Sequence, residues 1–207
     1  MNLLLKIGLS GLALIVGAAL IGPILAPFSP EHMDLTRELL PPGEGSVLGT
    51  GVNGIDVFSW VLHGAGISLT VGLSVVFVSL SVGLVMGTTA GYFGGRFDFV
   101  LMRVIDVLLA FPGILLAIYI AAVLPPSLTN VVLALSATGW VGYARLVRGQ
   151  VLQVREMEYI HACRAMGMRP PRIIIRHILP NIAGPVLVHG SFGLGGAILG
   201  EAALSFL

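Results

Sequence analysis

The sequence predicts an all-α membrane protein, a polytopic helical bundle with five spans. Three observations predict it. Hydrophobic residues make up 56% of the 207-residue chain and charged residues only 10%, against roughly 25% charged in a soluble domain. The mean hydropathy is +0.99. The apolar residues also gather into stretches near the length that crosses a bilayer as a helix, about 20 residues. The formal net charge of +1 gives no sign of nucleic-acid binding, and the single cysteine, Cys163, excludes an internal disulfide.

Each span has its own justification. Ile7 to Leu25 is the first, with no charge from Gly8 to Phe28. A cleaved signal peptide is the alternative, but the apolar run exceeds the usual ~7–15 residues of a signal core, which favours a retained anchor. Ala26 to Ile67 carries Glu31, Asp34, Glu38, Glu44 and Asp56 and reads as an external segment. Ser68 to Tyr92 is the second span, again uncharged. Val100 to Leu124 is the third, with Arg103 and Asp106 near its start. Leu128 to Tyr143 is a shorter fourth, and Arg145 marks its exit. Ile178 to Leu207 is the fifth and holds one carboxylate, Glu201. Two domains follow: 1–66, an anchor span and external segment, and 67–207, a membrane core with a polar loop at about 150–177. Leu207 ends an apolar run with no polar flank, so the chain is expected to be cut short there.

Charge distribution orients the bundle. Lys6, Arg96, Arg103, Arg145, Arg148, Arg155, Arg164, Arg169, Arg172 and Arg176 all fall on one side if the N-terminus is cytoplasmic, and Arg37 alone falls opposite. The positive-inside rule therefore places the N-terminus and the polar loop in the cytoplasm.

That loop is the most informative part of the chain. Glu156 and Glu158 open a helical stretch, and Arg164 and Arg169 close it, in the order that suits the helix dipole. Gly167 supplies a C-terminal cap, and Pro170-Pro171 prevents continuation. Tyr159, Cys163 and Met166 share one face at helical spacing, beside a strip of Ala162 and Ala165. Leu179-Pro180 begins the next span. By physics alone, this is either an amphipathic helix lying on lipid headgroups or a docking helix for a cytoplasmic partner.

Other polar residues have structural readings beside functional ones. Asp106 stands three residues after Arg103, the spacing of a helix-face pair. Glu201 has no such neighbour in the sequence, so it faces protein or a solute path. No two of the five histidines stand at metal-ligand spacing, and His189 reads as a buried histidine before a nickel ligand. Gly83, Gly87 and Gly91 recur at four-residue steps, with Gly72 in the same span, as a seam for close helix packing.

The loop resembles the EAA loop of the permease subunits of bacterial and archaeal ABC importers. That pattern reads Glu-Ala-Ala, three residues, Gly, nine residues, Ile, one residue, Leu-Pro. Ala162, Gly167, Leu179 and Pro180 match in type and spacing. His161 stands at the Glu position, Cys163 at the second Ala and His177 at the Ile. Four further segments are similar to the dipeptide/oligopeptide/nickel branch: Gly91 to Gly95, Asp106 to Pro112, Tyr143 to Gln150 and Arg176 to Asn181. The ending from Gly200 to Leu207 is a fifth. The match is best to the second permease of such systems. It departs at Gly49-Thr50-Gly51 and Gly54-Ile55-Asp56, where Gly-Thr-Asp and Gly-Arg-Asp are usual, and at Trp60 and Gly66, where a basic residue is usual. The sixth family span is absent.

The resemblance implies a non-catalytic subunit with the type I importer permease fold. A second permease would complete the translocation path, two cytoplasmic ABC ATPases would carry the ATP, and an external solute-binding protein would deliver the solute. This chain would bind no cofactor. His161, Ala162, Cys163, Arg164, Ala165, Met166 and Gly167 would be the coupling segment, and Pro180 would orient the fifth span. His161, neutral or cationic with pH, would make docking weaker or differently paired than a Glu. The implied solute is a di- or oligopeptide, with nickel as the alternative. A secondary transporter would call for inverted repeats and paired mid-membrane charges, and neither stands out in the chain. An inactive truncated fragment is the remaining alternative. No Walker A, HExxH, Ser-His or paired-Asp pattern points to a membrane enzyme.

Overall fold

The computed structural model describes residues 3–30, 32–43 and 45–206. Glu31 and Glu44 of the acidic segment, and Leu207 at the expected cut, lie outside the described residues. The helices are α1 (Leu3–Leu25), α2 (Val57–Phe93), α3 (Gly95–Ala110), α4 (Gly113–Val123), α5 (Leu128–Arg155), α6 (Glu158–Ala165), α7 (Pro170–Ile173) and α8 (Leu179–Phe206). A π-helical turn, Ile174–Ile178, joins α7 to α8. The chain forms two compact units, Met1–Thr70 and Val71–Leu207.

In the first unit, α1 exposes large apolar side chains over most of its surface, among them Leu12, Leu14, Ile15 and Leu20, and buries Ala19. A helix apolar on every face suits a lipid environment. The connecting segment is held by polar groups. Asp56 caps the start of α2, accepting from the Ser59 amide at 2.8 Å and the Ser59 hydroxyl at 2.7 Å. The Ser46 hydroxyl also donates to Asp56. Thr50 donates to the Arg37 carbonyl and accepts from the Leu40 amide at 2.9 Å. Burial alone would raise the Asp56 carboxyl, but these hydrogen bonds and the nearby Arg37 charge hold it below its usual value. The segment that departs from the family pattern is thus knotted by Thr50 and Asp56.

In the second unit, α5 is the central helix. Val147, Val151 and Val154 pack with Ile173, Ile178, Ile182 and Val186 in one core. Val75, Ala117, Leu135 and Ala197 form another, and Ala90, Leu101, Ile105, Val141 and Ala144 a third. The glycine seam of α2 presses directly on α5. A Cβ at Gly87 would stand 2.5 Å from the Ala144 carbonyl oxygen, and one at Gly91 would stand 3.0 Å from that of Arg148. The seam is a packing surface, as small residues in lipid favour.

Span boundaries differ from expectation in physically simple ways. Among the described residues, Lys6–Leu25, Val57–Phe93 and Pro170–Phe206 are long and apolar enough to cross a membrane. The third expected span is not straight. It breaks at Phe111-Pro112 into α3 and α4, bent by 86°, and the two reach spanning length only together. Phe111 is extended, as the residue before a proline prefers. The fourth stretch does not end at Arg145. Its helix, α5, runs on to Arg155, with Arg145, Arg148 and Arg155 on carboxylates and a carbonyl of neighbouring helices. Among the described residues α5 is not one of the helices long and apolar enough to cross, so three spans, or four with the bent pair, stand against the five expected. The last long helix starts at Pro170 rather than Ile178, so Leu179-Pro180 lies inside it. Pro170 and Pro171 occupy the first helical turn of α7, where a missing N–H costs nothing. Pro180 lies directly after the π turn, a local widening of the helix in which the Leu179 amide donates to the Ile174 carbonyl.

Candidate functional site

The coupling candidate is α6 with its flanking turns. Glu158 lies in its first turn and Arg164 in its last, complementing the helix dipole. Glu156 and Arg169, expected inside this helix, cap its neighbours instead: Glu156 ends α5 and Arg169 precedes α7. Gly167 has φ +78°, the left-handed conformation that ends many helices. Its amide donates to the Arg164 carbonyl at 2.9 Å, and the Met168 amide donates to the Cys163 carbonyl at 3.0 Å. These two bonds form a Schellman motif, which turns the chain sharply and satisfies the last carbonyls.

The buried face of α6 is Ile160 and Cys163, packed into the core of α5, α7 and α8. Tyr159 and Met166 do not share it. Met166 is 74% exposed, and the partly exposed Tyr159 hydroxyl accepts from the Asn181 side chain at 3.0 Å. Asn181 also donates to the His177 carbonyl at 2.7 Å, so it ties α6 to the start of α8. Ile160 is completely buried while its polar neighbours are exposed. The i, i+3 spacing of Ile160 and Cys163 is the sequence signal that would have found this anchor. The outer face presents His161, Ala162, Arg164, Ala165 and Met166 to the surroundings. His161 Nε2 lies 3.7 Å from Glu156 Oε2.

Ion pairs brace the base of this segment. Arg155 donates to the Gly91 carbonyl at 2.7 Å and to Glu156 at 2.8 Å. Arg148 grips Asp98 through Nε and Nη2, the second at 2.6 Å. The Arg164 guanidinium lies over the Tyr92 ring, 5.2 Å from its centroid. Asp106 does not pair with Arg103. It binds Arg145 on α5 at 2.5 Å, while Arg103 lies over Phe99 at 5.4 Å. Glu201 is buried and accepts from the Ser205 hydroxyl at 2.9 Å. No sequence spacing could disclose pairs such as Arg148–Asp98, because their members stand on different helices, 50 residues apart.

Long apolar helices, a bent helix pair and a short polar helix held out on a braced loop define a multi-pass membrane transport subunit. The profile of the binding-protein-dependent transport system inner membrane component matches residues 80–207. That of the N-terminal transmembrane domain of oligopeptide transport permease C matches residues 2–42. The chain belongs to this family of inner-membrane ABC importer permeases. It is 41% identical over 206 residues to the dipeptide transport system permease protein DppC of Bacillus subtilis (strain 168), covering 100% of this chain and 64% of that one. It is 36% identical to the oligopeptide transport system permease protein OppC of the same organism, covering 100% of this chain and 68% of that one. The glutathione transport system permease protein GsiD of Pectobacterium atrosepticum is 38% identical, covering 94% of this chain and 65% of that one. The chain thus spans about two-thirds of the length of the curated relatives it matches.

Proposed function

We propose that this chain forms half of the translocation path of an ATP-driven importer for di- or oligopeptides. The names of its relatives favour peptides over nickel. On this reading it does no chemistry. A second permease completes the path as a heterodimer, two cytoplasmic ABC ATPases hold the ATP, and an external solute-binding protein loads the solute. The N-terminus is cytoplasmic, which puts α6 on the ATPase side.

One observation carries the proposal. The α6 helix is anchored by Ile160 and Cys163 yet leaves Ala162, Ala165 and Met166 exposed. Small side chains there let a partner surface approach closely, and the braced base transmits its motion to α5 and α8. ATP enters as a difference in affinity for α6 between two states of the ATPases. The test is co-purification of the ATPase subunits with the chain, and ATP-dependent peptide uptake into vesicles. Ala165→Arg should abolish both while the chain still inserts and folds. Unimpaired ATPase retention by that variant would sink the coupling role of α6.

A further inference from the structure

A cavity of about 440 Å³ lies within the second unit, lined from α2, α4, α5 and α8. Its walls are mostly apolar and small, with Gly139, Gly193, Gly196 and Gly200 among them. No lining residue carries a carboxylate, an ammonium or a guanidinium; the polar ones are Ser79, Thr138, Tyr143 and His189. Two of these are anomalous. Ser79 is 1% exposed and Tyr143 5%, and neither hydroxyl has a hydrogen-bond partner. A buried hydroxyl without a partner is costly and needs an explanation.

Each orphan hydroxyl is covered by a glycine. A Cβ at Gly139 would stand 2.6 Å from Ser79 Oγ, and a Cβ at Gly193 would collide with Tyr143 Oη. His189, one turn before Gly193, sets its imidazole edge-on to the Tyr143 ring, centroids 5.0 Å apart. A small outward shift of α8 at Gly193 therefore uncovers the phenol beside the imidazole, at the wall of an existing cavity.

We infer that this cavity is a solute subsite, in which the Tyr143 and Ser79 hydroxyls and the His189 imidazole hydrogen-bond an uncharged amide of a passing peptide. The inference rests on the peptide reading above and adds where the solute is held and by which groups. The chemistry suits an amide. Hydroxyls and an imidazole both donate and accept, as a peptide group requires. The apolar walls accept side chains of varied shape without reading their sequence. A bare cation would find one imidazole and no anionic ligand there.

The test uses the complete transporter with its binding protein in proteoliposomes, and alanyl-phenylalanine and its N-methylated form as probes. Tyr143→Phe removes an unpartnered buried hydroxyl, so the variant should fold at least as well as the parent. It should nevertheless raise the KM for alanyl-phenylalanine uptake about three- to tenfold, the worth of one hydrogen bond. N-methylation should weaken uptake by the parent and do so less in Tyr143→Phe. Ser79→Ala should behave alike. Unchanged KM in both variants, or an equal N-methyl penalty in parent and variants, would overturn the subsite. Failure of the parent complex to take up any peptide would remove the peptide reading and the subsite with it.

Discussion

Asp106 on α3 and Arg145 on α5 meet at 2.5 Å, although Arg103 stands one turn before Asp106 on its own helix. Both side chains are about half exposed, at 53% and 50%. An exposed pair of this kind is worth about 0–1 kcal/mol. Asp98 and Arg148 join the same two helices with 17% and 28% exposure and two hydrogen bonds. Paired, charge-assisted bonds with less solvent are stronger. Asp98→Asn should therefore lower the unfolding temperature in detergent clearly, and Asp106→Asn barely. Equal shifts would contradict this ranking.

The contact of α2 with α5 predicts a steric limit at Gly87. An alanine there would press its Cβ to 2.5 Å from the Ala144 carbonyl oxygen and 2.9 Å from Val147 Cβ. Overpacking of this kind costs about 1–3 kcal/mol. Thermal unfolding of Gly87→Ala measures it, and Gly184→Ala, with open space around its Cβ position, is the control.

Gly167 predicts a local effect of a different kind. Its φ of +78° is strained for any residue with a Cβ, although nothing crowds it. Gly167→Val should cost about 1–2 kcal/mol from backbone strain. Because the strain falls on the exit of α6, ATPase retention should fall more than global stability. Hydrogen exchange of the Met168 and Gly167 amides would register the lost Schellman bonds directly.

The position of His161 predicts altered docking when it is replaced. Its Nε2 lies 3.7 Å from Glu156 Oε2. His161→Glu would set a second carboxylate beside Glu156 and should change ATPase retention on co-purification. Equal retention by the two chains would remove any role for the side chain at 161.

Acid should loosen the segment before α2. The Asp56 carboxyl is held below its ordinary 3.8, so folding favours its ionised form. Its contribution is complete above that ordinary value and is lost as pH falls through the depressed folded value. Limited proteolysis within 35–56 should be slow and constant down to about pH 4 and should accelerate below it. Asp56→Asn should be cleaved quickly even at neutral pH.

Much of this protein was legible in the chain as written. Apolar content and uncharged runs announced a helical membrane bundle, because a bilayer leaves backbone groups no partners outside a helix. The four-residue glycine steps announced a packing seam, and the order of acid and base around Tyr159 announced a short polar helix with Gly167 at its end. Tertiary structure alone decided the partners. Asp106 had Arg103 at helical spacing, yet took Arg145, because α3 and α5 lie side by side and the Arg103 side chain lies over Phe99 instead. The same holds for Arg148 and Arg155 of α5, whose partners Asp98 and the Gly91 carbonyl stand on α3 and α2. Local periodicity is a property of one segment. The partner of a charge and the lining of a cavity depend on which helices come together, and that is set by the summed packing of segments far apart in sequence.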